Sequence, residues 1–280
     1  MFDFRYHALS LVAVFLALGI GILLGSTIGD NLASQANKDL SSSLRGDLLK
    51  ARSDARDAGS NVSQRDRLIQ AAFPRIVGTK LQGQRIAIVS SGKLPGDVES
   101  NVRKTMGDAG ASVDSVTAIT DDMKPQDVGK VIGGRFARIG TSGSDMRQLG
   151  RRLGRVIVAG GRSAQDLKTH FSDQFTGDYA GADGVVFYRS SPDKRDDAHL
   201  ALEEALAEGL RRAGVSVVGV EQSGTDPSQV PWYSDRGLSS VDCVDLVGGR
   251  VALALSLAGA EGTFGIKSTA QDLLPKPAGA

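Results

Sequence analysis

The sequence predicts an α/β protein: an N-terminal transmembrane helix and a coiled-coil stalk, followed by a mainly parallel, doubly wound α/β domain. Three observations predict it. Residues 8–28 form an apolar run with no charge. Apolar positions then recur every three and four residues up to Pro74. Beyond Pro74, short apolar runs alternate with amphipathic stretches, the pattern of a sheet covered by helices.

The apolar run is long enough to cross a bilayer, which needs roughly 20 residues at about 1.5 Å each. A cleaved secretory signal, the competing reading, has a core of about 7–15 residues. Ser34 and Ala36 do offer a small-x-small cleavage pattern. Arg5 and the amino terminus precede the run, and Asp30 follows it. That bias places the N-terminus in the cytoplasm and the rest outside it. The expected anchor is 1–29, with the lipid bilayer as its partner. Gly21, Gly25 and Gly29 share one helix face, where missing side chains let a second helix approach. Glycine is also simply common in membrane helices, so both readings stand.

Residues 30–73 form the expected stalk. Leu48, Ala51, Ala55, Ala58, Val62, Arg65, Ile69 and Ala72 keep heptad spacing. Leu40, Leu44 and Leu48 step by four, a local stutter. The seam residues are Leu44, Leu48, Ala51, Ala55, Ala58 and Val62. Alanine buries little area, so the coil gains from tethering in a membrane, which raises effective concentration. A homodimer or a hetero-oligomer fits this seam. A single helix packed back on its own domain is the alternative.

The α/β domain is expected over 80–268. Arg85–Ser91, Ser112–Ile119, Arg155–Ala159, Gly184–Tyr188 and Val215–Val220 read as strands, and Thr263–Lys267 as a last one. Helices are expected over Asp97–Gly110, from Ser191 to Ala213 and over Asp245–Ala258, with short ones between Pro125 and Leu153. Ser163 reads as an N-cap, with Asp166 three residues on. The tail 269–280 reads as disordered.

Composition excludes several functions. A net charge of +1 on 280 residues gives no basis for nucleic-acid binding. Aromatics make up 5%, too few for a protein built around stacked ligands. Cys243 is the one cysteine, so no disulfide can form within the chain. A buried, inert thiol is its expected state. No His-x-x-x-His or Cys-x-x-Cys pair marks a closed metal site. Asp193, Asp196, Asp197 and His199 cluster at a helix start, where acidic groups suit the helix dipole. Gly160-Gly161 is placed to hold an anion between strand and helix, but no Gly-Lys-Ser/Thr follows. No catalytic set is visible, and the chain is expected not to be an enzyme. No cofactor is evident.

The stretch Asp226–Asp245 is the most distinctive. Trp232 and Tyr233 are expected in a loop, where with Arg236 they would suit a protein contact. The alternative is that the rings plug the edge of the core.

The opening Met1–Gly25, the segment Asp235-Arg-Gly-Leu-Ser-Ser-Val-Asp-Cys-Val-Asp245 and the close Gly262-Thr-Phe-Gly265 resemble the MctB family of actinobacterial envelope proteins, named as copper transporters. Cys243 departs from the family pattern, where Asn is expected. The resemblance implies copper homeostasis and an outer-envelope location, with copper as cargo. It also implies kinship with SteB-type cell-division proteins, linked to a complex that controls a peptidoglycan hydrolase. The residues fit a non-enzymatic scaffold better than a pore. One helix encloses no channel, and copper(I) prefers thiolate and thioether ligands, which here do not cluster in sequence.

Overall fold

A computed structural model describes the backbone of residues 4–190 and 197–276, and side-chain surroundings over 7–25, 40–190 and 197–276. The chain divides into two compact units, Met1–Arg65 and Asp66–Ala280.

Helix α1 runs from Phe4 to Val77. Within it, His7–Gly25 is long and apolar enough to cross a bilayer, and none of that segment is buried in the protein. From Leu40 to Gln64 every described side chain is exposed. Pro74 lies inside the last turn rather than ending the helix. Proline removes one intrahelical hydrogen bond. Burial of Phe73 and Val77 in the apolar core holds that turn nonetheless. Ile69 packs on the same core, so the expected seam gives up this position to the α/β unit.

The second unit is a seven-stranded sheet in the order β3-β2-β1-β4-β5-β6-β7. The strands are β1 Arg85–Ser91, β2 Ser112–Ile119, β3 Phe175–Gly177, β4 Gly184–Arg189, β5 Ser216–Val220, β6 Ser239–Val241 and β7 Thr263–Phe264. All neighbours are parallel except β2 and β3. The helices are α2 Gly96–Asp108, α3 Pro125–Ile132, α4 Gly143–Ala159, α5 Arg162–His170, α6 Asp197–Arg211, α7 Val230–Ser234 and α8 Val247–Leu257.

Side chains alternate between two cores, as the two-residue period of a strand requires. Ala87, Val89, Val185 and Phe187 join residues of α4, α5 and α6 in one. Ile86, Ile88, Val186 and Val218 join residues of α2, α8 and the end of α1 in the other. Both faces of the central strands are therefore buried, and their runs read as continuously apolar.

Several expectations need correction. Arg155–Ala159 is the last turn of α4, not a strand. Its apolar residues continue the stripe Met146, Leu149, Leu153, Ile157, and a short apolar run carries no period of its own. Gly160, at φ 66°, ends that helix. The N-cap of α5 is Gly161, not Ser163. The last strand stops at Phe264: the Gly265 N–H donates to the Asp272 carbonyl, and those of Ile266 and Lys267 turn to the Asp242 carboxylate. Gln271 donates its N–H to the Thr263 carbonyl, so the tail begins as an ordered strap. The expected helix start at Ser191, with Asp193 and Asp196, lies outside the described residues.

Candidate functional site at the carboxyl end of the sheet

Open parallel sheets hold ligands at the carboxyl ends of their strands, where strand order reverses. Here that point lies between β1 and β4. Ser190 closes it, its N–H and Oγ both donating to the Ser91 carbonyl at 3.0 Å. Ser90 donates to the Gly92 carbonyl at 2.6 Å.

Beside it, three neighbouring strands run into a charged residue: Arg189 is the last residue of β4, Glu221 follows β5 and Asp242 follows β6. Each is buried, and each is partnered. Arg189 donates through Nε to Glu203 of α6 and through a terminal nitrogen to the Gln229 side-chain oxygen. Glu221 accepts from the Gln229 N–H, from Ser228 at 2.8 Å and from Lys267 at 2.7 Å. Lys267 fills its remaining donors with the carbonyls of Gln222 and Thr225, at 3.1 and 2.6 Å. Asp242 accepts the N–H groups of Ile266 and Lys267, both at 2.8 Å. A Cβ on Gly265 would overlap that carboxylate, so glycine is required there. The network pins the strap after β7 onto β5 and β6.

Trp232 and Tyr233 stand on α7, not in a loop, and they do not form an exposed pair. Tyr233 is wholly buried. Its hydroxyl donates to the Val220 carbonyl at 3.0 Å and accepts the Arg189 N–H at 3.0 Å. Burial pushes its phenol well above the ordinary value. Its ring lies over Gly219, where any Cβ would come within 2.5 Å of it. For Tyr233, then, the core-plug alternative holds. Trp232 is half-buried between two guanidiniums, Arg189 at 4.7 Å and Arg236 at 4.1 Å from the indole centroid. Arg236 is half-buried and paired with Glu204.

This arrangement holds structure together and offers little chemistry. Arg189 is balanced by Glu203 and Lys267 by Glu221, Asp242 is satisfied by two backbone N–H groups, and the Ser228 hydroxyl that meets Glu221 does so inside this structural network. The described soft donors are dispersed. Met123 and Met146 lie in one core, Met106 and Cys243 in the other. Burial, then the neighbouring Asp242 carboxylate, pushes the Cys243 thiol up to about 12, so it stays protonated at neutral pH. A protonated, buried thiol is a poor copper ligand. Among the described residues no group of three or more His, Cys, Asp or Glu is placed to hold a metal. Gly160-Gly161 follows a helix rather than a strand, and a Cβ at Gly160 would collide with the Tyr179 carbonyl. It is a close-packed turn, not an anion cradle.

The stalk and helix positions stay open. Leu44, Leu48, Ala51, Ala55, Ala58 and Val62 are all exposed. Gly21 and Gly25 have nothing within 4 Å of a virtual Cβ. The surroundings of Gly29 lie outside the described residues. The buried network itself was missed from sequence; the signal available was a charge at the end of the apolar runs of β4, β5 and β6.

A family model described as copper transport outer membrane protein, MctB, matches residues 1–275. The chain is also similar to proteins named copper transporter MctB from Mycobacterium bovis and from two strains of Mycobacterium tuberculosis. Identity is 34% over 128 residues, covering 44% of this chain and 39% of each relative. The matched part thus spans less than half the length of those relatives. Because the family match takes in the apolar helix, the exposed helix behind it and the whole sheet, this chain belongs to the MctB family.

Proposed function

We propose that the chain is a membrane-anchored protein of the cell envelope with a non-enzymatic part in copper homeostasis. The observation that carries this is the family match over residues 1–275, together with the copper-transporter name of its relatives. On this reading His7–Gly25 spans the membrane once, with the N-terminus cytoplasmic and the α/β unit outside. An outer-envelope location follows the family description. The apolar cores on both sheet faces support a doubly wound domain, and the exposed heptads support a coiled-coil stalk. Copper is cargo, and among the described residues its soft ligands are not gathered in one place: Cys243 is protonated and buried, Met123 and Met146 lie in one core and Met106 in the other. The test is cellular copper on deletion of the protein, alongside copper(I) binding to the purified chain. Unchanged copper in the cell, with no binding above non-specific levels, would sink the copper role.

A second reading is favoured by the exposed seam of α1. A long helix with leucines facing water needs a partner for them. The chain would then be a scaffold in a cell-envelope or cell-division complex that regulates a peptidoglycan hydrolase. Crosslinked pull-downs from intact cells should recover an envelope protein. Recovering none would remove this reading.

A further inference from the structure

Among the described residues beyond the candidate membrane span, α1 carries an exposed row of apolar side chains. Leu44, Leu48 and Val62 are 59%, 51% and 55% exposed, and the alanines between them are exposed as well. An isolated helix this polar is marginal in water, because most helical stability in proteins comes from packing one face. The question is what covers that face.

The charges beside it answer the question. With Leu48, Ala55 and Val62 at position a, and Leu44, Ala51 and Ala58 at d, the flanking e positions hold Arg45 and Arg52. The flanking g positions hold Asp47 and Asp54. One edge of the seam is therefore basic and the other acidic over the same two heptads. In a parallel pair of helices, a g residue faces the e residue five positions on in the partner. Asp47 then meets Arg52 of the partner subunit, and symmetry makes that contact twice. In an antiparallel pair, e faces e and g faces g, so arginine would meet arginine and aspartate would meet aspartate. The seam also has a defined end: the next a position, Ile69, is packed into the core of its own α/β unit.

We propose that residues 44–62 form a parallel two-stranded coiled coil with a second copy of this chain, in the register that sets Asp47 against Arg52 of the partner subunit. The proposal rests on the membrane-anchored reading, which holds both N-termini on one side of one bilayer. The anchor also supplies what the seam lacks. Alanines at 51, 55 and 58 bury little area, so the pair depends on the effective concentration that tethering gives. Specificity comes from the charges and from the leucine and valine layers at the ends.

Cysteine crosslinking of the full chain in native membranes tests it. Positions a and d of a parallel dimer face themselves across the axis. Ala51→Cys and Ala58→Cys should therefore each give a disulfide-linked homodimer on mild oxidation. Ser53→Cys, on the outer face, should give none. The unsubstituted chain controls for Cys243, which is buried. A homodimer at one of the two seam positions but not the other would mean antiparallel packing and overturn the proposal. So would a crosslink to a different protein, equal crosslinking at Ser53→Cys, or no homodimer at all. The register has its own arm, read by sedimentation of the detergent-solubilised chain. Asp47→Arg should weaken the dimer by roughly threefold or more, as expected for two exposed ion pairs turned repulsive. Asp47→Arg combined with Arg52→Asp should restore it. No change on the single reversal overturns the register. Homodimer formation alongside unchanged cellular copper on deletion would remove the copper role and leave the dimer standing.

Discussion

Arg189 and Glu203 form an ion pair almost wholly withdrawn from water, with side chains 7% and 2% exposed. Arg189 ends β4 and Glu203 stands on α6, so the pair ties the sheet to the helix that covers it. A buried charge is tolerated only when paired and hydrogen-bonded, and removing one partner strands the other. Glu203→Ala should therefore cost about 3–5 kcal/mol of stability. Replacing both residues, Arg189→Met with Glu203→Leu, should recover much of that loss. Urea unfolding of the detergent-solubilised chain, followed by the fluorescence of Trp232, the one tryptophan, would measure both. A single variant as stable as the parent would contradict the network's structural role.

Alkaline pH should loosen the α/β unit. Burial pushes both the Cys243 thiol and the Tyr179 phenol up to about 12, from ordinary values of 9.0 and 10.0. Both groups hold their protons more tightly when folded. Their contribution is complete below those ordinary values and is lost as pH rises towards about 12. Unfolding midpoints measured at pH 8 and at pH 11 should fall in that direction. The Cys243 thiol should also react with a thiol reagent only when the protein opens, so modification should speed up with added urea. Fast labelling of the native chain would contradict its burial.

Helices α4 and α6 approach through glycines. A Cβ on Gly150 would stand 2.5 Å from the Leu202 carbonyl oxygen, and one on Gly209 would stand 2.6 Å from that of Arg151. Gly150→Ala and Gly209→Ala should each destabilise by about 1–3 kcal/mol through overpacking. Gly59→Ala sits in open space inside α1 and should stabilise that helix by about 0.5–1 kcal/mol. Thermal unfolding followed by circular dichroism separates the two classes.

Local sequence carried much of the central sheet. Arg85–Ser91 and Ser112–Ile119 are strands with the bounds their apolar runs announce. Strands β3 and β6 were not legible, because three residues hold no period. Arg155–Ala159 misled because its four apolar residues fit a strand as well as the last turn of a helix. The network at the carboxyl end joins Arg189, Glu203, Glu221, Gln229 and Lys267, which only the parallel topology brings together. The same topology took Tyr233 from a presumed surface loop into the core.

On the proposed reading, this chain would serve copper homeostasis from the membrane, and not through soft ligands of its own α/β unit. The most direct test of that reading is the copper content of cells grown in elevated copper, with the protein deleted and then restored. The account predicts that deletion shifts copper content. It predicts that the parent chain and Cys243→Ser both restore it, and that a chain lacking His7–Gly25 does not. Copper content indifferent to deletion, or rescued by the chain without that helix, would contradict it.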